Sequence, residues 1–147
     1  MGYYIAIGNA VAELYKDDRE LYTRCEVKET SNEDAPNFPG DYMTRNRNIR
    51  MPSYTGWYEF CDNVGLTELF YDSHGGLFRQ QPGCIMLLQD HYHMISDALA
   101  VYQRNAKRPP GYDAFGNYDY NLARLMWLEY WVNWALENCE TPAIYNS

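Results

Sequence analysis

The segment from Asp119 to Asn138 constrains this chain more than any other, because it reads as a helix with too few polar positions to lie on a surface. Leu122, Leu125, Leu128, Trp131, Val132, Ala135 and Leu136 fill one side, and Trp127 and Trp134 widen the stripe. Glu129, Asn133 and Glu137 form a narrow polar strip at i, i+4 spacing. With side chains about 100° apart around the axis, the apolar arc takes more than half the circumference, and such a helix has to be surrounded by the rest of the fold. Arg124 falls near that arc, where a charge must be paired or held at the rim. It reads as one end of a structural salt bridge, with a pocket-lining role as the other reading.

What packs around this axle is legible in outline. Tyr3 to Ile7 is a β-rich run that Gly8-Asn9 is expected to break or bulge, and Ala10 to Tyr15 resumes it. Lys16-Asp17-Asp18-Arg19 reads as a polar turn, and Leu21 to Val27 returns with the alternation of a half-buried strand. An antiparallel hairpin or small sheet is therefore expected at the N-terminal side. Ser53 has the chemistry of a helix N-cap, Trp57, Phe60, Cys61 and Val64 share one helical face, and Gly65 is placed to end that helix. Leu66 to Tyr71 is a second short apolar piece, Leu77-Phe78 reads as a brief strand, and Pro82-Gly83 as a turn. A long helix is expected from about Gln89 to Ala106, with Tyr92, Ile95, Leu99 and Tyr102 on the core side, basic Lys107-Arg108 near its end and Pro109-Pro110-Gly111 stopping it. The whole is an α+β chain, a single domain over residues 1–147, with a small N-terminal sheet packed on about three helices, the last one central.

A chain of 147 residues is long enough to bury a core without metal or disulfide support. The rings are the unusual component: 15 Tyr, 4 Trp and 5 Phe imply an interior of aromatic side chains whose OH and NH groups need partners. A Tyr-rich binding face is the functional alternative to simple packing. The formal net charge of −8 has the wrong sign for a broad grip on a phosphate backbone, so no extended nucleic acid is expected. It suits a basic partner protein instead. Cys25, Cys61, Cys84 and Cys139 form no CxxC pair, and with no secretory signal or membrane-spanning run in view, a cytoplasmic setting with reduced thiols is the expectation.

Residues 28–52 form the longest stretch without periodicity, a long irregular loop within the domain, and long loops in compact domains are often functional. Its basic residues Arg45, Arg47 and Arg50 lie close in sequence to Tyr54 and Trp57. Guanidinium groups and ring faces both stack on bases, and guanidinium grips phosphate with two bonds. Together with Arg124 these residues make the candidate site for a small nucleotide, in a nucleotide-binding protein or small enzyme. The plainer alternative is that the arginines neutralise the chain's own carboxylates. A metal-dependent hydrolase would rest on Asp90, His93 and Asp97, which share a helix face, with His74 as a candidate fourth group; His91 points away. Solvated i, i+3 and i+4 pairs are the plainer reading there. No nucleophile elbow or phosphate-cradling glycine frame occurs, so no catalytic residue and no cofactor are assigned.

The stretches Met51-Pro52-Ser53-Tyr54-Thr55-Gly56-Trp57 and Ala123 to Cys139, with the tail Pro142 to Ser147, resemble small uncharacterised proteins from phages and bacteria. The resemblance carries no catalytic residues. It implies a context in which small accessory proteins bind and block a host machine, as anti-CRISPR proteins do. The expectation is thus a non-catalytic binding protein, a phage-encoded inhibitor of a host defence or other host machine acting through a protein surface, with a basic host protein as its partner.

Overall fold

The computed structural model describes residues 1–16, 21–42, 44–105 and 119–147, with the backbone alone for 13–16 and 21–24. The expected turn at Asp17-Asp18-Arg19 and the expected helix stop at Pro109-Pro110-Gly111 lie outside the described residues. Those described form strands β1 (Ile5–Lys16), β2 (Leu21–Val27), β3 (Ile49–Arg50), β4 (Gly83–Met86) and β5 (Pro142–Asn146), and helices α1 (Tyr54–Val64), α2 (Thr67–Tyr71), α3 (Gln89–Asn105) and α4 (Tyr120–Asn138). The sheet is antiparallel, ordered β2-β1-β5-β4, with β3 also paired to β1. The fold is α+β, with the last helix at its centre.

The period-2 pattern of β1 explains how the sheet is used. Ile5 and Ile7 point to the helices and join Ile85 of β4 and Ile144 of β5 in the main core. The intervening Ala6 points to the opposite face and packs with Val27, Ile49 and Ala143 in a second, smaller core. Residues in β-strands alternate faces, so Gly8 and Ala10 lie on the same side as Ala6. Small side chains there let the sheet curl until β2 meets β4 and β5, which are not its neighbours in the strand order.

Gly8-Asn9 does not break the strand. β1 runs through both residues, with Gly8 opposite Ala143 and Asn9 opposite Pro142. The glycine is there for room, since a Cβ would stand 3.1 Å from Val27 Cγ1 and 3.3 Å from Asn48 Nδ2. Asn9 uses its Oδ1 to accept from Thr141 N at 2.7 Å. Leu77-Phe78, expected as a brief strand, lies in a turn whose N–H groups bond back to Leu69 and Phe70 of α2. The strand of this region comes slightly later, at β4.

Asn48 fills the gap on the outer edge of β1 between the end of β2 and the start of β3. Its backbone O accepts from Ile7 N at 3.0 Å. Its amide donates to Ile7 O and Lys28 O, each at 2.9 Å, and its Oδ1 accepts from Thr30 N at 2.7 Å. The side chain is wholly buried with its amide donors and its oxygen all bonded.

On the helical side, α1 is closed at both ends as its sequence dictates. Ser53 Oγ accepts from Gly56 N at 3.0 Å, and Gly65 takes the left-handed conformation at φ 77°. Trp57, Phe60 and Cys61 face inward. α4 starts at the N-cap Asp119, which accepts from Leu122 N at 3.0 Å and from the Tyr102 hydroxyl of α3 at 2.7 and 2.8 Å. Burial and that carboxylate push the Tyr102 hydroxyl up to about 12, so it remains a donor. Between Asn121 and Leu136 no residue of α4 is exposed, and Trp127 and Trp131 are at 0%. Even its polar strip is partly used inward: Glu129 accepts from the Tyr92 hydroxyl of α3 at 3.0 Å.

Replacing Asn48 tests the sheet edge. Asn48→Ala strips partners from three backbone groups and should cost on the order of 3 kcal/mol. Asn48→Asp keeps the acceptor for Thr30 N but loses both donors, and should also destabilise in urea unfolding near neutral pH.

Candidate functional site

The sequence-predicted residues fall into separate places. Arg50 and Arg124 are brought together, on a carboxylate that no sequence pattern singles out, Asp41. Arg50 Nη1 reaches Asp41 Oδ2 at 2.9 Å, while Arg124 grips the same carboxylate with Nε and Nη2 at 3.0 and 2.8 Å. Arg50 Nη2 also donates to Phe38 O at 3.1 Å, and the guanidinium lies 5.4 Å from the centroid of the Trp127 ring. Arg124 stands 5.8 Å from the Phe60 ring. Gly40 at φ 93° and Asp41 at φ 46° turn the chain so that the carboxylate points inward. Burial pushes the Asp41 carboxyl up, but the bonds and charges of Arg124 and Arg50 outweigh burial and hold it below its ordinary value.

This trio belongs to a wider set of ties between residues 28–52 and α4. Trp127 Nε1 donates to Arg47 O at 3.0 Å, and Asn32 donates to the Tyr130 hydroxyl at 2.8 Å. Phe38 packs on the Tyr130 ring, while within the loop itself Asn46 donates to Ala35 O. Arg47 itself turns outward and pairs with Glu29 at 2.6 Å. Arg45 is exposed, with φ 42°. A polar depression of about 360 Å³ lies beside Arg47, bounded by Ser31, Asn32, Glu33 and Asn46. Trp57 is fully buried against Phe60, Phe70 and Phe78. Tyr54 sits on the other side of the Ser53 cap, against Tyr3. Arg50 and Arg124 thus meet on an internal carboxylate, and the rings of Tyr54 and Trp57 do not face Arg45 or Arg47.

Asp90, His93 and Asp97 are all exposed on α3. Among the described residues, no group of three His, Cys, Asp or Glu side chains is placed to hold a metal ion. His91 serves the backbone instead, its Nδ1 accepting from Leu88 N at 2.9 Å, before the helix's first turn. Burial, followed by the charge of Arg79, pushes this imidazole down, which keeps it neutral and able to accept. His74 is exposed in the loop after α2, 3.0 Å from Ser73 Oγ.

A different grouping emerges on the outer side of α1. Tyr54 and Tyr58, one helical turn apart, are 40% and 52% exposed. Tyr3 meets the Tyr54 ring edge-on at 4.6 Å, and Tyr71 meets Tyr58 at 5.3 Å. The two inner hydroxyls are joined, Tyr3 OH donating to Tyr71 OH at 3.3 Å. Burial and that bond hold the Tyr71 hydroxyl far above its usual range, so it stays protonated. Phe78, packed on Tyr3 at 4.7 Å and on Phe70 at 4.9 Å, backs the cluster from inside. Next to it an open depression of about 600 Å³ is lined by Tyr3, Tyr4, Met51, Pro52, Ser53 and Ser147, among others. Between Arg50 and Arg79 the sequence has no Lys or Arg, while Glu59, Asp62, Glu68 and Asp72 all fall there. The i, i+4 pair Tyr54/Tyr58 is visible in the sequence. Tyr3 and Tyr71 are not, because only the tertiary fold brings them beside it.

Compared with known proteins, the chain matches no family model, no curated protein and no solved structure.

The Asp41 trio sets a pH dependence. With the folded carboxyl held below its ordinary value, its contribution is fully present above about pH 4 and lost as pH falls further, because the unfolded chain takes up the proton first. Asp41→Asn removes the buried carboxylate that Arg50 and Arg124 share and should cost about 3–5 kcal/mol at neutral pH. Its stability should also fall less than the parent's between about pH 5 and pH 2, as followed by chemical unfolding at each pH.

Proposed function

We propose that this chain is a non-catalytic binding protein whose working surface is the tyrosine face of α1, and that its partner is a protein presenting a basic, arginine-bearing surface. The observation that carries this reading is the cluster Tyr3, Tyr54, Tyr58 and Tyr71: rings packed edge to edge, Tyr54 and Tyr58 about half open to solvent, and all but Tyr3 in a stretch of chain that bears carboxylates and no Lys or Arg. Tyrosine supplies a large contact area at low entropic cost, which is why it is enriched at protein interfaces. An open ring face attracts a guanidinium, and the carboxylates of Asp62, one turn after Tyr58, and of Glu59 and Glu68 raise the local concentration of a basic partner. The depression beside Tyr3 and Tyr4 offers room for a side chain that reaches past the rings.

The biological setting that goes with this reading is an inhibitor that covers a basic surface of a host defence or other host machine. Such a role asks for a rigid, pre-formed face, which lowers the ordering cost of association. Tyr71 and Phe78 provide that rigidity from beneath.

A labelled octa-arginine peptide tests the face directly. Two ring contacts at about 0.5–1 kcal/mol each correspond to about a tenfold loss of affinity in the Tyr54→Ala/Tyr58→Ala double variant. Each residue is about half exposed and gives up one ring contact, so the double variant should stay folded with a modestly lowered melting temperature. An octa-glutamate peptide should not bind. Equal binding of octa-arginine by parent and variant would leave only diffuse charge attraction and overturn the tyrosine face. A melting-temperature rise with a nucleotide, abolished by Arg45→Ala/Arg47→Ala, would replace this reading with the nucleotide one.

A further inference from the structure

The curl of the sheet has a chemical result on its small-residue face. Cys25 lies opposite Ala12 in the β1–β2 pairing, and Cys84 lies opposite Tyr145 in the β4–β5 pairing. Strand alternation puts both on the face that carries Ala6, Val27 and Ala143. In a flat sheet they would be far apart, with β1 and β5 between their strands. Here β2 approaches β4, and Cys84 packs against the cluster that holds Val27, two residues along β2 from Cys25 and on the same face. Both side chains are half-buried, so small reagents can reach the pair. The other two cysteines stand apart from it: Cys61 is enclosed in the main core, and Cys139 caps the end of α4.

We propose that Cys25 and Cys84 form an oxidation site, a dithiol that a low-molecular-weight disulfide such as oxidised glutathione converts to a Cys25–Cys84 disulfide linking β2 to β4. The reaction is two successive exchanges. The Cys25 thiol gives up its proton, and its sulfur attacks the reagent disulfide; one reagent sulfur leaves and takes a proton to become a thiol. The Cys84 thiol then gives up its proton as its sulfur attacks the Cys25 sulfur of the mixed disulfide, and the second reagent sulfur leaves and takes a proton. Two protein thiols are oxidised, one reagent disulfide is reduced to two thiols, and the two protons end on those thiols. Burial, and the contact with Cys25, hold the Cys84 thiol up and protonated at neutral pH, which assigns it the second step. The product joins strands that touch only through the curl, so it fixes the curl covalently.

The test uses the full chain with oxidised glutathione, followed by alkylation of remaining thiols, intact mass and peptide mapping. The expected product has lost two hydrogens, keeps two of the four thiols titratable after denaturation, yields a Cys25–Cys84 cross-linked peptide, and reverts with dithiothreitol. Its melting temperature should rise by roughly a few degrees, because the link closes a long loop in the unfolded chain. Cys84→Ser should stop at a glutathione adduct on Cys25. Stable glutathione adducts on the parent with no cross-link, a cross-link to Cys139 instead, or four unreacted thiols would each overturn the proposal. Since the parent protein alone supplies these outcomes, a variant that folds poorly does not blur them.

Discussion

A helix whose side chains are covered along nearly its whole length cannot be placed at the edge of anything, and the burial of α4 dictates where every other element must go. The sheet covers it through Ile5, Ile7, Ile85 and Ile144, while α1, α2 and α3 contribute Trp57, Phe60, Phe70 and Ile95 to the same core. Burying apolar area on this scale is the main favourable term available to the chain. It also leaves little helix surface for residues 28–52 to lie against except through matched polar contacts. That is why the excursion between β2 and α1 carries so many specific bonds to α4.

The trio of Asp41, Arg50 and Arg124 is the strongest of those bonds and the most demanding. One carboxylate, 6% exposed, serves two guanidinium groups, one of them fully enclosed. The guanidinium groups also meet a carbonyl oxygen and the Trp127 and Phe60 rings. Arrangements of this kind contribute less to net stability than to uniqueness, since most alternative packings would strand a charge. The loop is thereby held to a single course, even though few of its residues belong to regular elements.

How much of this is legible in the sequence follows from which interactions are local. The central helix, the caps of α1 and the core stripe of α3 depend on spacing within one segment, and the sequence displays them. β5 escapes notice because its five residues read as a tail, and only the pairing with β1 and β4 gives Ile144 and Ala143 their burial. A break in β1 is the natural expectation at Gly8, because a glycine looks alike whether it bends a strand or makes room for Val27 and Asn48. At the candidate sites the same division holds. Arg50 and Arg124 stand out as charges needing partners, but Asp41 is 83 residues from Arg124 and no periodicity links them. Cys25 and Cys84 show no motif spacing, and it is sheet curvature that brings their strands together. The tyrosine face is half visible, in the i, i+4 pair on α1.

The position of β5 in the middle of the sheet has a bearing on how the protein is made. Asn9 is bonded to Thr141 across 132 residues, so one edge of β1 has no partner until almost all of the described chain has left the ribosome. During that interval β1 can pair with β2 and β3 but not with β5, and the apolar side of α4 emerges before the strand that helps to cover it. Pairing so distant in sequence slows folding and prolongs the exposure of strand edges to other chains. A nascent chain of this design therefore keeps one edge of β1 open until Ala143 and Ile144 arrive.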